Sequence, residues 1–257
     1  MAVSKIGSVG SVVNPNLNAL IAELSSQGLV VVDDVLTPNE VVKARDALAR
    51  IHSREPDRSL DAPGYSIEKG SAGNPIYSLP DESRFATNLF SKEVFFTGLM
   101  HKEPVISLVK SLMADPLLSS MNTLEPVRGA GHQRLHRDEG FVGSDGINTV
   151  NTLWVLDDMD RDNGATRYVP GTHLTNEMST DDDPRLTYAS VRSGSVIVMN
   201  AHMLHGASLN HDGRRRRVIH VYYTRQGRHT QTDWSIYVPR DVKSSLTVKQ
   251  QKILGIS

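Results

Sequence analysis

The chain has 257 residues and a formal net charge of -1, with 28 basic and 29 acidic side chains and no cysteine. This length suits one large domain, and the charge balance provides no basic field for nucleic acid. Without cysteine, disulfides, thiolate metal sites and a cysteine nucleophile are excluded, so a metal must be held by histidine and carboxylate. No apolar run approaches the ~20 residues that a membrane span needs. Residues 1–10 lack the apolar segment of a signal peptide, and we expect a cytoplasmic protein.

Helical patterns dominate the first half of the chain. Apolar residues at helical spacing in 17–24 are followed by Gly28, which stands where a C-terminal cap belongs. The apolar run 29–32 predicts a short buried strand. The segment Thr37-Pro38-Asn39-Glu40 has the residues of a capping box and predicts the start of a helix. Another helical pattern follows in 104–112.

Strand patterns dominate the second half, and turn dipeptides separate them. The predicted extended segments are 121–128, 148–156, 195–199 and 216–224. Helices followed by many strands predict an α+β fold with a double-stranded β-helix (jelly-roll) core and flanking N-terminal helices.

No linker divides the sequence, so we expect a single domain over 1–257. Within it we assign 1–13 to a flexible arm, 14–115 to helical support and lid, and 116–240 to the jelly-roll core. The lid is the long aperiodic stretch 53–82, because structureless segments of this length in compact domains are often binding loops.

The stretch from Gln133 to Asp138 carries the first candidate site. On an extended segment His136 and Asp138 point to the same face, because side chains alternate with period two. One imidazole and one carboxylate are two of the three ligands in the facial triad of non-haem Fe(II) oxygenases, although such a pair is also common by chance. The third ligand is His205 or His202, which face opposite ways on a strand. We favour His205, because it leads directly into the turn before Arg214.

Four consecutive arginines, Arg214 to Arg217, usually indicate a solvated or nucleic-acid-binding face. Alternation along a strand would point two of the four inward, and an inward guanidinium needs a carboxylate because an unpaired buried charge is costly. If no protein acid serves, a dicarboxylate cosubstrate can bind bidentately.

In its motifs the sequence resembles the phytanoyl-CoA dioxygenase family of Fe(II)/2-oxoglutarate-dependent oxygenases, from about residue 27 to 224. The motifs are Gln133-x-x-His136-x-Asp138, Asn163-Gly164-Ala165-Thr166 leading to Val169-Pro170-Gly171-Thr172-His173, and His205-Gly206 through Asn210 to Arg216. The N-terminal strand and the helix after Thr37 are also usual for this family.

The resemblance implies an iron site formed by His136, Asp138 and His205, and a 2-oxoglutarate site formed by Arg216, Gln133, Trp154 and Thr166. Arg216 follows His205 by the family's eleven residues. Arg214, at nine, is the alternative, because it shares parity with Arg216. Ala207 is a departure, since the family often has a polar residue two positions past the distal histidine, where it bonds the cosubstrate.

The implied enzyme is a dioxygenase that uses Fe(II), 2-oxoglutarate and O2, hydroxylates a small molecule and releases succinate and CO2. We expect a biosynthetic tailoring step on an amino-acid-like or natural-product metabolite, no nucleic-acid or membrane partner, and a monomer or homodimer. Desaturation, cyclisation, epimerisation or an acyl-CoA substrate are the alternatives, whereas halogenation is disfavoured because Asp138 fills the halide's position. A non-enzymatic double-sheet binding protein is the other class. We expect the lid, residues 139–147 and the tail around Trp234 and Tyr237 to enclose the substrate.

Overall fold

The computed structural model describes residues 17–55, 84–141 and 146–256, which form helices and two antiparallel sheets. The predicted arm and nearly all of the predicted lid lie outside these residues. None of the helices described there combines the length and hydropathy that a bilayer crossing requires.

Seven α-helices and two 3-10 helices occur in the described ranges. The α-helices are α1 (Leu17–Gln27), α2 (Pro38–Arg54), α3 (Leu89–Lys92), α4 (Val105–Leu112), α5 (Trp234–Tyr237), α6 (Arg240–Ser245) and α7 (Val248–Leu254), and the 3-10 helices are Val94–His101 and Thr172–Leu174. The predicted capping box is confirmed. The Thr37 hydroxyl accepts from the Glu40 N–H, and the Glu40 carboxylate accepts from the Thr37 N–H at 2.8 Å. Gly28 ends α1 with a φ of +84°.

The described strands number nine: β1 (Leu29–Val32), β2 (Arg84–Ala86), β3 (Leu117–Glu125), β4 (Thr149–Val155), β5 (Thr166–Tyr168), β6 (Thr187–Tyr188), β7 (Val196–Asn200), β8 (His205–Ala207) and β9 (Val218–Thr224). The major sheet has the order β1-β7-β4-β9-β3-β2, and the minor sheet has the order β6-β5-β8. The predicted segment 121–128 is displaced, because β3 begins at Leu117 and ends at Glu125.

The major sheet is buried on both faces. One face packs against the helices through side chains that include Val150, Trp154, Val198 and Ile219. The opposite face carries a smaller apolar cluster with Leu153, Val155, Ile197, Met199 and Val218. Because alternate residues face opposite sides of a strand, each central strand contributes to both cores.

Trp234 lies in the core and not beside the predicted site, so the expectation that it encloses the substrate is wrong. Its ring is buried, with its centroid 4.8 Å from that of Phe90, and its indole N–H donates to the Leu118 carbonyl at 2.6 Å. The tail therefore completes the core on the helical side of the major sheet.

Candidate metal centre

The segment that carries Gln133 to Asp138 runs antiparallel to β8. His136 and His205 exchange backbone hydrogen bonds of 2.9 Å in both directions, and the Gln133 N–H donates to Ala207 at 3.0 Å. This pairing places His205 beside the two residues that the sequence predicted as ligands.

Gly206 allows this close approach. A Cβ atom at Gly206 would lie 2.8 Å from the Gln133 carbonyl oxygen and 2.9 Å from that of Arg134. A larger residue would push the ligand-bearing segment away from β8.

His136, Asp138 and His205 bring their ligand atoms within 4.8 Å of one another. The Nε2 atoms of His136 and His205 lie 3.3 and 3.5 Å from Oδ1 of Asp138. Ligands at right angles around a metal, with bonds of ~2.1 Å, lie roughly 3 Å apart. The three side chains therefore fit one face of an octahedral ion.

Both imidazoles are oriented by the backbone. Nδ1 of His136 lies 2.8 Å from the Arg134 carbonyl, and Nδ1 of His205 lies 2.9 Å from the Met203 carbonyl. An Nδ1–H that donates to a carbonyl leaves the Nε2 lone pair free, which is how metal-binding histidines are usually fixed.

Asp138 is held as an anion. Burial alone would raise its pKa, but the charges and hydrogen bonds of His205 and His136 lower the pKa well below its usual range. For His205 burial lowers the pKa, and the Asp138 carboxylate more than offsets this, so the net pKa is raised. A metal ion would displace the protons from the two Nε2 atoms, and one carboxylate with two imidazole nitrogens is the donor set that non-haem Fe(II) sites use.

His202 has a different role. Its Nε2 accepts the Asn148 N–H at 3.0 Å, and its Nδ1 lies 2.7 Å from the Gly140 carbonyl. Both ring nitrogens are therefore used to hold the chain on either side of residues 142–145, and the structure brings His205 to the cluster instead.

Arg137, between the two ligands His136 and Asp138, points away from the cluster. Its guanidinium donates to the carbonyls of His202 at 2.8 Å, Thr172 at 3.0 Å and Glu177 at 2.7 Å. It thereby ties the ligand-bearing segment to the turn that precedes His205.

A cavity between the two sheets adjoins the cluster. It is lined by Gln133, His136, Asp138, Asn151, Leu153, Thr166, Met199, His205, Gly206, Ala207, Arg216 and His220. The structure thus brings six of the seven predicted site residues together. Asn151, Leu153 and Met199 were missed, because apolar residues and a single amide in buried strands give no sequence signal of a cavity.

Trp154 is the predicted site residue that the structure places elsewhere. Its side chain lies in the core on the helical face, fully buried, and its indole N–H donates to the Thr152 hydroxyl at 3.0 Å. The neighbouring residues Asn151 and Leu153 face the cavity. The assignment of Trp154 beside the cosubstrate is wrong by one position, which on a strand is the opposite face.

The four arginines separate into two kinds. Arg214 pairs with Asp160 at 2.8 Å. Arg215 pairs with Glu125 at 2.9 Å, and Arg217 pairs with Asp157 at 2.6 Å. Each of these three cations therefore has a protein counter-ion.

Arg216 has no such partner among the described residues. It is 3% exposed, its Nε donates to the Gly164 carbonyl at 2.8 Å, and its Nη1 is buried without a hydrogen bond. Burial lowers its pKa to about 10, so the guanidinium still carries its charge at neutral pH. Oδ1 of Asn151 is also buried without a partner. An anionic group in the cavity would satisfy the Arg216 guanidinium, whereas the Asn151 oxygen needs a hydrogen-bond donor.

The phytanoyl-CoA dioxygenase family model matches residues 24–218. The chain belongs to the phytanoyl-CoA dioxygenase family. The resemblance seen in its motifs is thereby confirmed, and with it the predicted enzyme class, a 2-oxoglutarate-dependent non-haem iron dioxygenase that uses Fe(II), 2-oxoglutarate and O2.

Individual relatives are distant but align over most of the chain. Dioxygenase af480 of Aspergillus fumigatus is 26% identical over 256 residues, which cover 94% of this chain and 78% of that protein. Among solved structures, HygX from Streptomyces hygroscopicus with nickel and 2-oxoglutarate bound has a TM-score of 0.66 at 17% identity, covering 82% of this chain and 88% of HygX. The carbocyclase SnoK from nogalamycin biosynthesis has a TM-score of 0.63 at 19% identity, covering 85% and 88%. These two structures share its fold.

Proposed function

We propose that His136, Asp138 and His205 hold Fe(II), and that Arg216 binds the distal carboxylate of 2-oxoglutarate. The observation that carries the proposal is the buried guanidinium of Arg216, which lacks a protein carboxylate and lines the same cavity as the three ligands. A dicarboxylate that chelates the metal through its 2-oxo acid end can reach such a cation with its other end.

Gln133 and Thr166 are proposed as further contacts to the cosubstrate, because both line the cavity. Ala207 also lines the cavity and offers no hydrogen bond, so the other polar residues must provide the orientation that a side chain at Ala207 would otherwise supply.

We propose the hydroxylation of a small molecule as the reaction, with an amino-acid-like or natural-product metabolite as the substrate. Bound Fe(II) and 2-oxoglutarate supply the oxidising chemistry, in which O2 is consumed and succinate and CO2 leave. The protein binds and orients both partners and excludes water from the reacting centre. Relatives named as fungal dioxygenases support a biosynthetic role.

Cyclisation is the second candidate reaction, because the structural neighbour SnoK is a carbocyclase. Asp138 occupies its ligand position in either case, which disfavours a halide on the metal. We further propose that the two sheets form a double-stranded β-helix, that 1–257 is one catalytic domain, and that the protein works as a monomer or homodimer. A cavity enclosed by residues from both sheets supports the first of these.

Succinate formation tests the proposal. The protein would be incubated with Fe(II), 2-oxoglutarate and O2 against a panel of amino acids and natural-product scaffolds, with the Asp138→Ala variant as control. A substrate should raise succinate formation in the native protein only. Mass spectrometry of the product under ¹⁸O2 then separates hydroxylation, which adds one labelled oxygen, from cyclisation, which removes two hydrogens. Absence of 2-oxoglutarate binding and of succinate would refute the assignment of the site.

A further inference from the structure

His220 is a cavity-lining histidine to which the iron and 2-oxoglutarate assignments give no role. It lies on β9, where it pairs with Asn122 of β3 and Leu153 of β4. Alternation along β9 places it on the same face as Val218, toward the cavity and away from the helices.

Within the described residues, no hydrogen bond joins a ring nitrogen of His220 to the protein. The other histidines around the site differ in this respect, because His136 and His205 each use Nδ1 and His202 uses both nitrogens. An imidazole enclosed in a cavity wall without a protein partner has hydrogen-bonding capacity for a bound molecule.

The surroundings of His220 keep its ring neutral. Burial, followed by the positive charge of Arg216, lowers its pKa to about 4. A neutral imidazole has one N–H donor and one acceptor nitrogen. The ring shares the cavity wall with His136, Asp138 and His205 as well as with Arg216.

We propose that His220 binds the cosubstrate, with its ring N–H donating a hydrogen bond to the 2-oxo acid end of 2-oxoglutarate beside the metal ligands. Arg216 holds the distal carboxylate, so the two residues divide the molecule between them. The inference rests on the 2-oxoglutarate site proposed above. It adds a hydrogen bond from the cavity wall, to which the Ala207 side chain contributes none.

Two 2-oxo acids distinguish the ends of the site. Both 2-oxoglutarate and pyruvate have the metal-chelating 2-oxo acid group, but pyruvate lacks the distal carboxylate. Each would be titrated to saturation into the anaerobic Fe(II) protein, with the metal-to-ligand charge-transfer band as the readout. The variants are His220→Leu, which removes the donor, His220→Gln, which retains an N–H donor, and Arg216→Met, which removes the distal contact.

We expect His220→Leu to lower the affinity for both 2-oxo acids by the same factor, roughly ten- to a hundredfold. This is the effect of losing a hydrogen bond to a charged group. The charge-transfer band should also move, because the donor acts on the chelating carboxylate. His220→Gln should restore most of the affinity. Arg216→Met should lower the affinity for 2-oxoglutarate and leave the affinity for pyruvate unchanged.

Native-like affinity of His220→Leu for both acids would overturn the inference, and so would a loss confined to 2-oxoglutarate, since that would place His220 at the distal end. Circular dichroism and Co(II) binding of His220→Leu, compared with the native protein, show that the variant is folded and its metal site intact. If the native protein gave no charge-transfer band with either acid, the proposed 2-oxoglutarate site itself would fail.

Discussion

Replacing Arg216 by methionine tests the central feature of the site. Methionine has a similar length but no charge and no N–H groups. We expect the affinity for 2-oxoglutarate to fall by two to three orders of magnitude and the affinity for the metal to stay the same, because Arg216 is not a ligand.

The magnitude follows from the burial of the guanidinium. The lowering of its pKa to about 10 corresponds to ~3 kcal/mol relative to an ordinary arginine. Breaking a buried ion pair from one side costs ~3–5 kcal/mol, and each ~1.4 kcal/mol changes an equilibrium constant tenfold. The same burial destabilises the ligand-free protein, so Arg216→Met should unfold at an equal or higher temperature than the native chain.

The assay is an anaerobic titration of the Fe(II) protein followed by its charge-transfer band, with thermal unfolding beside it. At a hundredfold excess over its dissociation constant, 2-oxoglutarate should stabilise the native protein by ~2.7 kcal/mol, and the same concentration should leave Arg216→Met nearly unchanged. Arg214→Met is the matched control, because Arg214 is half-exposed and already paired with Asp160 and Asp212. If Arg214→Met no longer bound 2-oxoglutarate and Arg216→Met still bound it, the assignment of Arg216 as the residue that binds the distal carboxylate would be refuted.

Four further outcomes are expected. His205→Ala should lose tight Ni(II) binding in calorimetry while His202→Gln keeps it, and the reverse result would make His202 the third ligand. The native enzyme should give no chlorinated product in excess chloride, as judged by mass spectrometry. Trp154→Phe should lower the free energy of unfolding and leave the 2-oxoglutarate affinity unchanged. A loss of 2-oxoglutarate affinity in this variant would contradict its placement in the core. Burial lowers the pKa of His220 to about 4 in the metal-free folded protein. Below pH ~6.5 the unfolded chain therefore binds a proton at His220 that the folded protein does not bind. Stability in urea should therefore fall from pH 7 to 5, and less steeply in His220→Leu.

The clustering of the three proposed ligands could be predicted because it depends on local geometry. His136 pairs with His205 of β8 through an extended backbone, Asp138 follows two residues later, and a short turn separates His205 from Arg216. The turn itself has a clear cause, since the Asn210 side chain accepts from the Gly213 N–H at 2.8 Å and donates to the Arg214 carbonyl at 3.0 Å.

The error at Trp154 has the same physical origin as the successes. In a strand with one exposed face, polar residues reveal which side is which. β4 is buried on both faces, so Leu153 and Trp154 look equivalent in the sequence and only the three-dimensional packing separates them.

The C-terminal helices escaped prediction because they are short. α5 to α7 span four to seven residues each, and so few turns give little apolar periodicity. Thr247 and Gln250 form a capping box that could have indicated the last of them.

The two faces of the major sheet have consequences for how this scaffold can diverge. The side chains of Val150 and Ile219 pack in the helical core, whereas Asn151 and Leu153, which lie on the same sheet, form part of the cavity wall. Substitutions separated by a sheet and sharing no partners combine nearly additively. Thermal robustness can therefore be raised from the helical side by cavity-filling changes, while the choice of substrate is altered from the other side. A directed-evolution campaign on this enzyme would do best to mutate the two layers as separate libraries.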